Sequence, residues 1–331
     1  MSDAWHVFPK PFLDRLNQIV PHPTQLQSVL QALTQKRQTT FRVNTIKCTA
    51  EEVREELEKV GYFMKPVPWY PQAFTLTDPN KQQIFHPLYV NGGLYVQGLS
   101  SMIPALAMEP QPGEKILDLT AAPGSKTTQI AMIMQNSGFI LANELSPIRI
   151  FKLQANLKQQ GVTNATVRRG PGQYVWQKFP EYFDRTLVDV PCSMEGRFFS
   201  EDPKTYQEWT MLKVKRLAIQ QQHLLRSAVT ATRPGGVIIY STCTLAPEEN
   251  EAVIDWLLEK EQGKVILESI SIPGLTTDAP IMEWMGKQFD PQLQNAIRIL
   301  PRTDMEGFFI AKLRKLESNL PAPQAFSRRG R

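Results

Sequence analysis

From Lys115 onward, short apolar runs rich in β-branched residues alternate with helical segments, and this rhythm restricts the fold more than any other feature. Lys115-Ile116-Leu117-Asp118-Leu119 reads as a buried strand, and a helix follows from near Lys126 to just before Gly138. Phe139-Ile140-Leu141-Ala142-Asn143 is a second strand, after which Ser146-Pro147 supplies an N-cap and a first-turn proline and Gly161 a stop. Ala165-Thr166-Val167, Arg185-Thr186-Leu187-Val188-Asp189 and Val237-Ile238-Ile239-Tyr240-Ser241 continue the strands, and Phe308-Phe309-Ile310-Ala311-Lys312-Leu313 closes the series. Helices are expected over 208–232 and 248–260. Strands spaced by helices of this length predict an α/β fold with a doubly wound, mostly parallel sheet.

The first hundred residues follow a different pattern. Phe41-Arg42-Val43-Asn44-Thr45 reads as a strand, and Thr49-Ala50-Glu51-Glu52 as a capping box opening a helix that Gly61 ends. Prolines 66, 68, 71, 79 and 87 then punctuate a strand-and-turn stretch. The expected organisation is a helical lead-in over 1–40, a small α+β unit over 41–105, the doubly wound domain over 106–316, and a disordered basic tail over 317–331. No apolar run is long enough to cross a bilayer, and the N-terminus lacks the basic-then-apolar layout of a secretory signal. A cytoplasmic protein without a membrane partner is expected. The three cysteines (Cys48, Cys192, Cys243) and four histidines are scattered, which argues against a disulfide framework and against a metal site. Nothing suggests a coiled coil, so a monomer is expected.

In a doubly wound sheet, ligands bind beyond the carboxyl ends of the strands. The turn after the first strand is Asp118-Leu119-Thr120-Ala121-Ala122-Pro123-Gly124-Ser125-Lys126-Thr127, whose small residues let backbone amides approach a ligand. The second strand ends in Asn143-Glu144, where a carboxylate can accept from two ribose hydroxyls. A phosphate-binding P-loop fails because Ser125, not glycine, precedes Lys126, and the dinucleotide glycine pattern is absent. S-adenosylmethionine fits best, having a ribose and an amino-acid tail but no phosphates. A ligand-free αβ turn stays open as the alternative. Two further strands end in polar loops that carry thiols, Asp189-Val190-Pro191-Cys192-Ser193-Met194 and Ser241-Thr242-Cys243-Thr244. One buried cysteine is commonly just a small apolar residue; two on the same edge of a sheet suggest a nucleophile and a partner.

These three loops together resemble the NOP/Sun family of RNA 5-methylcytosine methyltransferases. Phe41-Arg42-Val43-Asn44-Thr45, Leu94-Tyr95-Val96-Gln97, Asn250-Glu251-Ala252-Val253 and Gly307-Phe308-Phe309 resemble further family blocks, in order, over residues 41 to 315. The resemblance implies a Rossmann-like class I methyltransferase with a doubly wound, mostly parallel seven-stranded sheet, preceded by a small α+β RNA-recognition-like module. It implies S-adenosyl-L-methionine as cofactor, held by Ala121, Ala122, Pro123, Gly124, Ser125, Lys126, Glu144, Arg149 and Asp189. It also implies that Cys243 adds to carbon 6 of a cytosine in ribosomal or transfer RNA, making carbon 5 enamine-like. Cys192 would then resolve the adduct, Asp189 would bond the cytosine edge, and Lys126 would lie at the reacting centre.

Two positions depart from the family pattern. Arg168-Arg169-Gly170-Pro171-Gly172-Gln173 lacks the acid usual near the adenine, and Met194 stands where glycine is common. They motivate the alternative of a weakly active or inactive RNA-binding assembly factor. A base N-methyltransferase is disfavoured because the loop after the fourth strand is Pro-Cys-Ser rather than a Pro-Pro-Tyr type. Residues 111–200 hold ten basic against seven acidic side chains within a net charge of +5, which suits an RNA partner. Lys152, Lys158, Arg168 and Arg169 belong to that excess. Phe41, Tyr62, Phe63, Trp69 and Tyr70 of the small unit are available to a core or to base stacking.

Overall fold

The computed structural model describes residues 4–320. The lead-in forms two helices, α1 (Lys10–Ile19) and α2 (Pro23–Thr34), each opened by a first-turn proline. Phe12, Leu16 and Ile19 form one buried stripe on α1, spaced four and three apart as one helical face requires. The small unit comprises β1 (Thr40–Val43), α3 (Ala50–Lys59), β2 (Met64–Val67), β3 (Tyr70–Leu76), a single turn α4 (Pro87–Val90) and β4 (Leu94–Val96). Thr49 and Glu52 close the expected capping box, Glu52 N donating to Thr49 Oγ1 at 3.2 Å and Thr49 N to Glu52 Oε2 at 2.8 Å. The antiparallel sheet has the order β2-β3-β1-β4. One face packs Phe41, Val43, Phe74, Leu76 and Leu94 onto Val53 and Leu57 of α3. Phe41, Tyr62 and Tyr70 are therefore core residues, whereas Phe63 is exposed.

The larger unit continues with α5 (Leu99–Met108), β5 (Lys115–Asp118), α6 (Ser125–Ile133), β6 (Phe139–Glu144), α7 (Pro147–Gln159), β7 (Ala165–Arg169) and β8 (Phe183–Asp189). It ends with α8 (Met211–Ala231), β9 (Thr232–Thr242), α9 (Glu251–Glu261), β10 (Val265–Glu268), a small hairpin β11 (Glu283–Trp284) and β12 (Lys287–Gln288), β13 (Ile297–Ile299) and β14 (Phe308–Lys315). The strand order is β10-β14-β9-β8-β5-β6-β7, with β13 also on β14. β5 to β9 run parallel, while β14 lies antiparallel to β9. The family resemblance implies seven strands, and eight are described. The extra one arises because β10 and β13 occupy different stretches of β14, at 312–315 and 308–310. Runs of three and four residues are too short to stand out as periodic segments.

Both faces of the large sheet are covered. Met102, Ile103 and Ala105 of α5 share a core with Ile116, Leu187 and Ile239. On the other face Phe8, Phe12 and Leu16 pack with Phe198, Tyr206 and Trp209, residues of the segment that follows Cys192. Ring centroids in this cluster lie as close as 4.7 Å, between Phe12 and Phe198. Arg15 adds a two-pronged pair to Glu248 at 3.1 and 2.6 Å, so the lead-in helices brace the Cys192 segment. The tail expected to be disordered from Glu317 is anchored as far as Leu320: Asn319 accepts from Lys315 Nζ at 2.9 Å and donates to Thr230 Oγ1 at 3.2 Å. Residues 321–331 lie outside the described residues. No helix among the described residues is long and apolar enough to cross a membrane.

One buried cation joins the two sheets. Arg42 is fully buried and donates to Gln97 Oε1 (2.9 Å), Thr128 Oγ1 (2.7 Å) and the Ser125 carbonyl (3.1 Å). Burial depresses its pKa to about 10. The small sheet is thereby fixed to the first turn of α6, the helix that carries Lys126.

Candidate active site

The carboxyl ends of β5, β8 and β9 converge, because parallel neighbours place their following loops on one edge of the sheet. The loop after β8 carries Cys192 and the loop after β9 carries Cys243, and the two Sγ atoms are 3.3 Å apart. Ser193 and Thr244 hydroxyls bond each other at 2.7 Å, and Gly196 N donates to the Cys243 carbonyl at 3.0 Å, which pins the loops together. Asn250 secures the second loop, donating to the Thr244 carbonyl (3.0 Å) and accepting from Thr242 Oγ1 (2.6 Å). The thiols are unequal. Cys192 is buried, whereas Cys243 is partly open and lines a cavity of about 320 Å³. The contact with Cys243, together with burial, raises the Cys192 pKa well above that of an ordinary thiol. Cys192 therefore stays protonated beside the more accessible sulfur.

Across the cavity Lys126 Nζ donates to Asp189 Oδ2 at 2.7 Å and to Ser101 Oγ at 2.9 Å. Ser241 Oγ donates to Asp189 Oδ1 at 2.8 Å, so one carboxylate oxygen is engaged from α6 and the other from β9. Asp118 lies beneath, bonded by Thr127 Oγ1 at 2.6 Å, and burial lifts its carboxyl pKa to about 6. Ala121, Ala122, Pro123, Ser125, Lys126, Asp189 and Cys243 all line this cavity. Gly124 does not. Its φ of 105° and the 2.9 Å between an ideal Cβ and Leu153 Cδ1 explain the glycine: it turns the chain into α6 against α7.

A second cavity of about 190 Å³ adjoins the first and shares Thr120 and Arg149 with it; Asn143, Glu144, Ser146, Gly172 and Gln173 line it. Glu144 Oε1 accepts from the backbone N–H groups of Leu145 and Ser146 at 2.8 and 2.9 Å. Its Oε2 is buried without a hydrogen bond, although Arg149 Nη1 lies 3.4 Å away without hydrogen-bond alignment. A buried carboxylate oxygen with spare capacity suits the hydroxyls of a ribose. The two connected cavities thus fit S-adenosyl-L-methionine. Arg149 also donates to the Ala122 carbonyl. In the segment that lacks the family acid, Gly172 and Gln173 line the smaller cavity. Arg168 donates to Asn143 Oδ1 at 2.5 Å, which gives one member of the expected basic face a structural partner.

Met194 adopts φ 60° and ψ 26°, the left-handed conformation that explains why glycine is common there. The loop still brings Cys192 to Cys243, and the Met194 side chain points to solvent with 39% exposure. The second departure therefore leaves the thiol pair intact.

The buried Glu249 carboxyl lies under the Cys192 loop, accepting from Ser193 N at 3.0 Å and from Gln221 Nε2 at 2.7 Å. Burial pushes its pKa from 4.5 up to about 7. Between these values the folded state retains a proton that the unfolded state has lost, so this group makes stability fall as pH rises from about 4.5 to 7 and adds no slope above. Glu249→Gln is expected to flatten that part of the stability profile; urea midpoints measured from pH 4.5 to 8 check it, and an unchanged slope would contradict the assignment.

Several site residues escape motif reading. Tyr95 and Gln97 from the small unit, Arg197 after the Cys192 turn, Glu306 just before β14 and Phe308 at its start all line the larger cavity. Leu94-Tyr95-Val96-Gln97 and Gly307-Phe308-Phe309 flag two of these stretches as blocks, but without a role. Arg197 and Glu306 are 109 residues apart, and no local pattern links them.

A seven-rank doubly wound sheet with an antiparallel strand beside β9 and paired ligand cavities on its carboxyl edge defines a Rossmann-like methyltransferase. Family comparison narrows the class. Residues 105–314 match the family described as 16S rRNA methyltransferase RsmB/F, and residues 8–98 match the N-terminal domain of 16S rRNA methyltransferase RsmF. The chain belongs to the RsmB/F family, within the NOP/Sun group that its motifs resemble. It is 35% identical over 322 residues to ribosomal RNA small subunit methyltransferase F of Cronobacter sakazakii, covering 95% of this chain and 65% of that protein. It is 40% identical over 279 residues to tRNA (cytosine(49)-C(5))-methyltransferase of Pyrococcus abyssi, covering 83% of this chain and 87% of the relative. The crystal structure of a methyltransferase homolog protein from Pyrococcus horikoshii has a TM-score of 0.82 at 32% identity, covering 96% of this chain and all of that one.

Proposed function

We propose that this protein transfers a methyl group from S-adenosyl-L-methionine to carbon 5 of a cytosine in ribosomal or transfer RNA, as a monomer in the cytoplasm. The observation that carries this reading is the thiol pair, Cys243 open to the cavity and Cys192 buried 3.3 Å behind it, facing the Lys126–Asp189 pair. The names of the Cronobacter and Pyrococcus relatives agree with it. Residues 41–105 would serve as the RNA-recognition-like unit and 106–316 as the methyltransferase domain.

The cofactor would be held by Ala121 to Lys126, Glu144, Arg149 and Asp189, and would supply an electrophilic sulfonium methyl group. Cys243 Sγ adds to carbon 6 of the cytosine as a thiolate, forming an S–C6 bond and leaving carbon 5 enamine-like. Asp189, steered by Lys126 and Ser241, takes the polar edge of the base. A cytosine within a helix must be unstacked to reach a cavity of this size. After methylation, the carbon-5 proton passes to solvent, its C–H electron pair re-forms the 5,6 double bond, and the S–C6 bond breaks to return Cys243 as a thiolate. Cys192, adjoining the departing sulfur, assists that release.

The direct test incubates the purified chain with S-adenosyl-L-methionine and unmodified ribosomal and transfer RNA, then maps 5-methylcytosine by bisulfite sequencing. Position-specific protection of cytosines is the expected result. Absence of protected cytosines, with no cofactor binding at millimolar concentration by calorimetry, would instead support the inactive assembly factor.

A further inference from the structure

One charged cluster at the cavity mouth has no part in the chemistry above. Three backbone segments cross there: Gly307 N donates to the Gly196 carbonyl at 2.9 Å, and Gly196 N donates to the Cys243 carbonyl at 3.0 Å. The crossing tolerates no side chain, since a Cβ on Gly196 would sit 2.3 Å from the Gly307 carbonyl oxygen. It fixes Arg197 and Glu306 on the rim beside Cys243, where Arg197 Nε meets Glu306 Oε1 at 3.2 Å. A second guanidinium backs them. Arg37 donates to the Gly196 carbonyl at 3.2 Å, and its Nε is buried without a hydrogen-bond partner.

The charges at this rim do not balance. Arg37 and Arg197 contribute two positive charges, and Glu306 is the one carboxylate that acts on both. The Arg197 side chain is 52% exposed, whereas that of Glu306 is 20% exposed, so the surplus cation faces the opening. Of the other cations in the cavity, Lys126 is already committed to Asp189, and Arg149 is held by the Ala122 carbonyl beside Glu144. A half-exposed guanidinium with one loosely held carboxylate and further free N–H donors is suited to an oxyanion. With a cytosine lodged between Cys243 and Asp189, the nearest oxyanion on an RNA is a backbone phosphate.

We infer that Arg197, backed by Arg37, binds a phosphodiester beside the target nucleotide, and that Glu306 occupies this guanidinium until RNA displaces it. The inference rests on the RNA reading above. It makes Arg197 a substrate-binding residue and Glu306 a competitor, so their replacements act with opposite signs.

Binding of a cytosine-containing single-stranded RNA oligonucleotide is measured by fluorescence anisotropy across a salt series for wild type, Arg197→Gln, Arg197→Lys and Glu306→Gln. Arg197→Gln is expected to weaken binding roughly tenfold. It should also make the log Kd against log salt slope shallower by about 0.7, one phosphate contact on a single strand. Arg197→Lys retains most of the slope. Glu306→Gln tightens binding roughly two- to fivefold by removing a competing, partly exposed carboxylate, a gain that misfolding cannot produce. Equal affinity and slope in wild type and Arg197→Gln would overturn the inference while leaving the methylation reading standing. An unchanged RNA curve with weaker S-adenosyl-L-methionine binding by calorimetry would assign Arg197 to the cofactor's carboxylate and overturn it as well. Failure of the wild-type protein itself to bind RNA would remove both.

Discussion

Cys243→Ala is expected to lower cytosine methylation by roughly three orders of magnitude or more, because no other thiol lines the cavity among the described residues. Cofactor binding should persist, since Glu144 and the Ala121–Lys126 loop are untouched. Cys192→Ala should behave differently. The Cys243 sulfur still forms its bond to carbon 6, but release lacks its assistant, and protein linked to RNA accumulates. Denaturing gels distinguish the outcomes: a slow-migrating RNA adduct for Cys192→Ala, and none for Cys243→Ala or for the double variant. Methylation at the wild-type rate by Cys243→Ala would end the covalent scheme.

The second large effect concerns stability. Arg298 on β13 and Glu251 at the start of α9 form a buried pair, 3% and 0% exposed, with N–O distances of 2.5 and 2.6 Å. Arg298 Nη1 also donates to the Leu245 carbonyl at 2.9 Å, two residues beyond Cys243, and Glu251 accepts from Ile281 N at 3.0 Å. Replacing only Arg298 strands a desolvated carboxylate, so Arg298→Ala should cost about 3–5 kcal/mol. Chemical denaturation reads the loss directly. Arg298→Ala with Glu251→Ala should cost less than the two separate losses combined, because neither charge is then left alone. A strictly additive double variant would show that the pair does not act as a unit.

How much of this was visible in the chain depended on distance along it. The Ala121–Lys126 loop, Glu144 and the two thiol loops each announce themselves within a few residues, because strand, turn and cap signals are local. Convergence of Cys192 and Cys243 follows from topology, since β8 and β9 are parallel neighbours. The rim is different. Arg197 meets Glu306 across 109 residues, and Arg42 reaches Thr128 across 86. Such partners are chosen by packing, and neither end carries a periodic or capping signature. The short strands β10 and β13 escaped for a related reason: they are held by β14 more than by their own composition. The tail shows the same limit, as Asn319 is ordered by Lys315 and Thr230, not by neighbours that look structured.

The buried Arg42 contact bears on how such chains can diverge. Tyr95 and Gln97, on and just beyond the last strand of the small sheet, form part of the wall that faces Cys243, and Arg42 locks that sheet to the helix carrying Lys126. The N-terminal unit is consequently not an address label that can be exchanged while the chemistry stays constant. A hybrid that borrowed this unit from a relative would inherit a new lining for the cavity that holds Cys243. Selectivity and turnover would then drift as one trait.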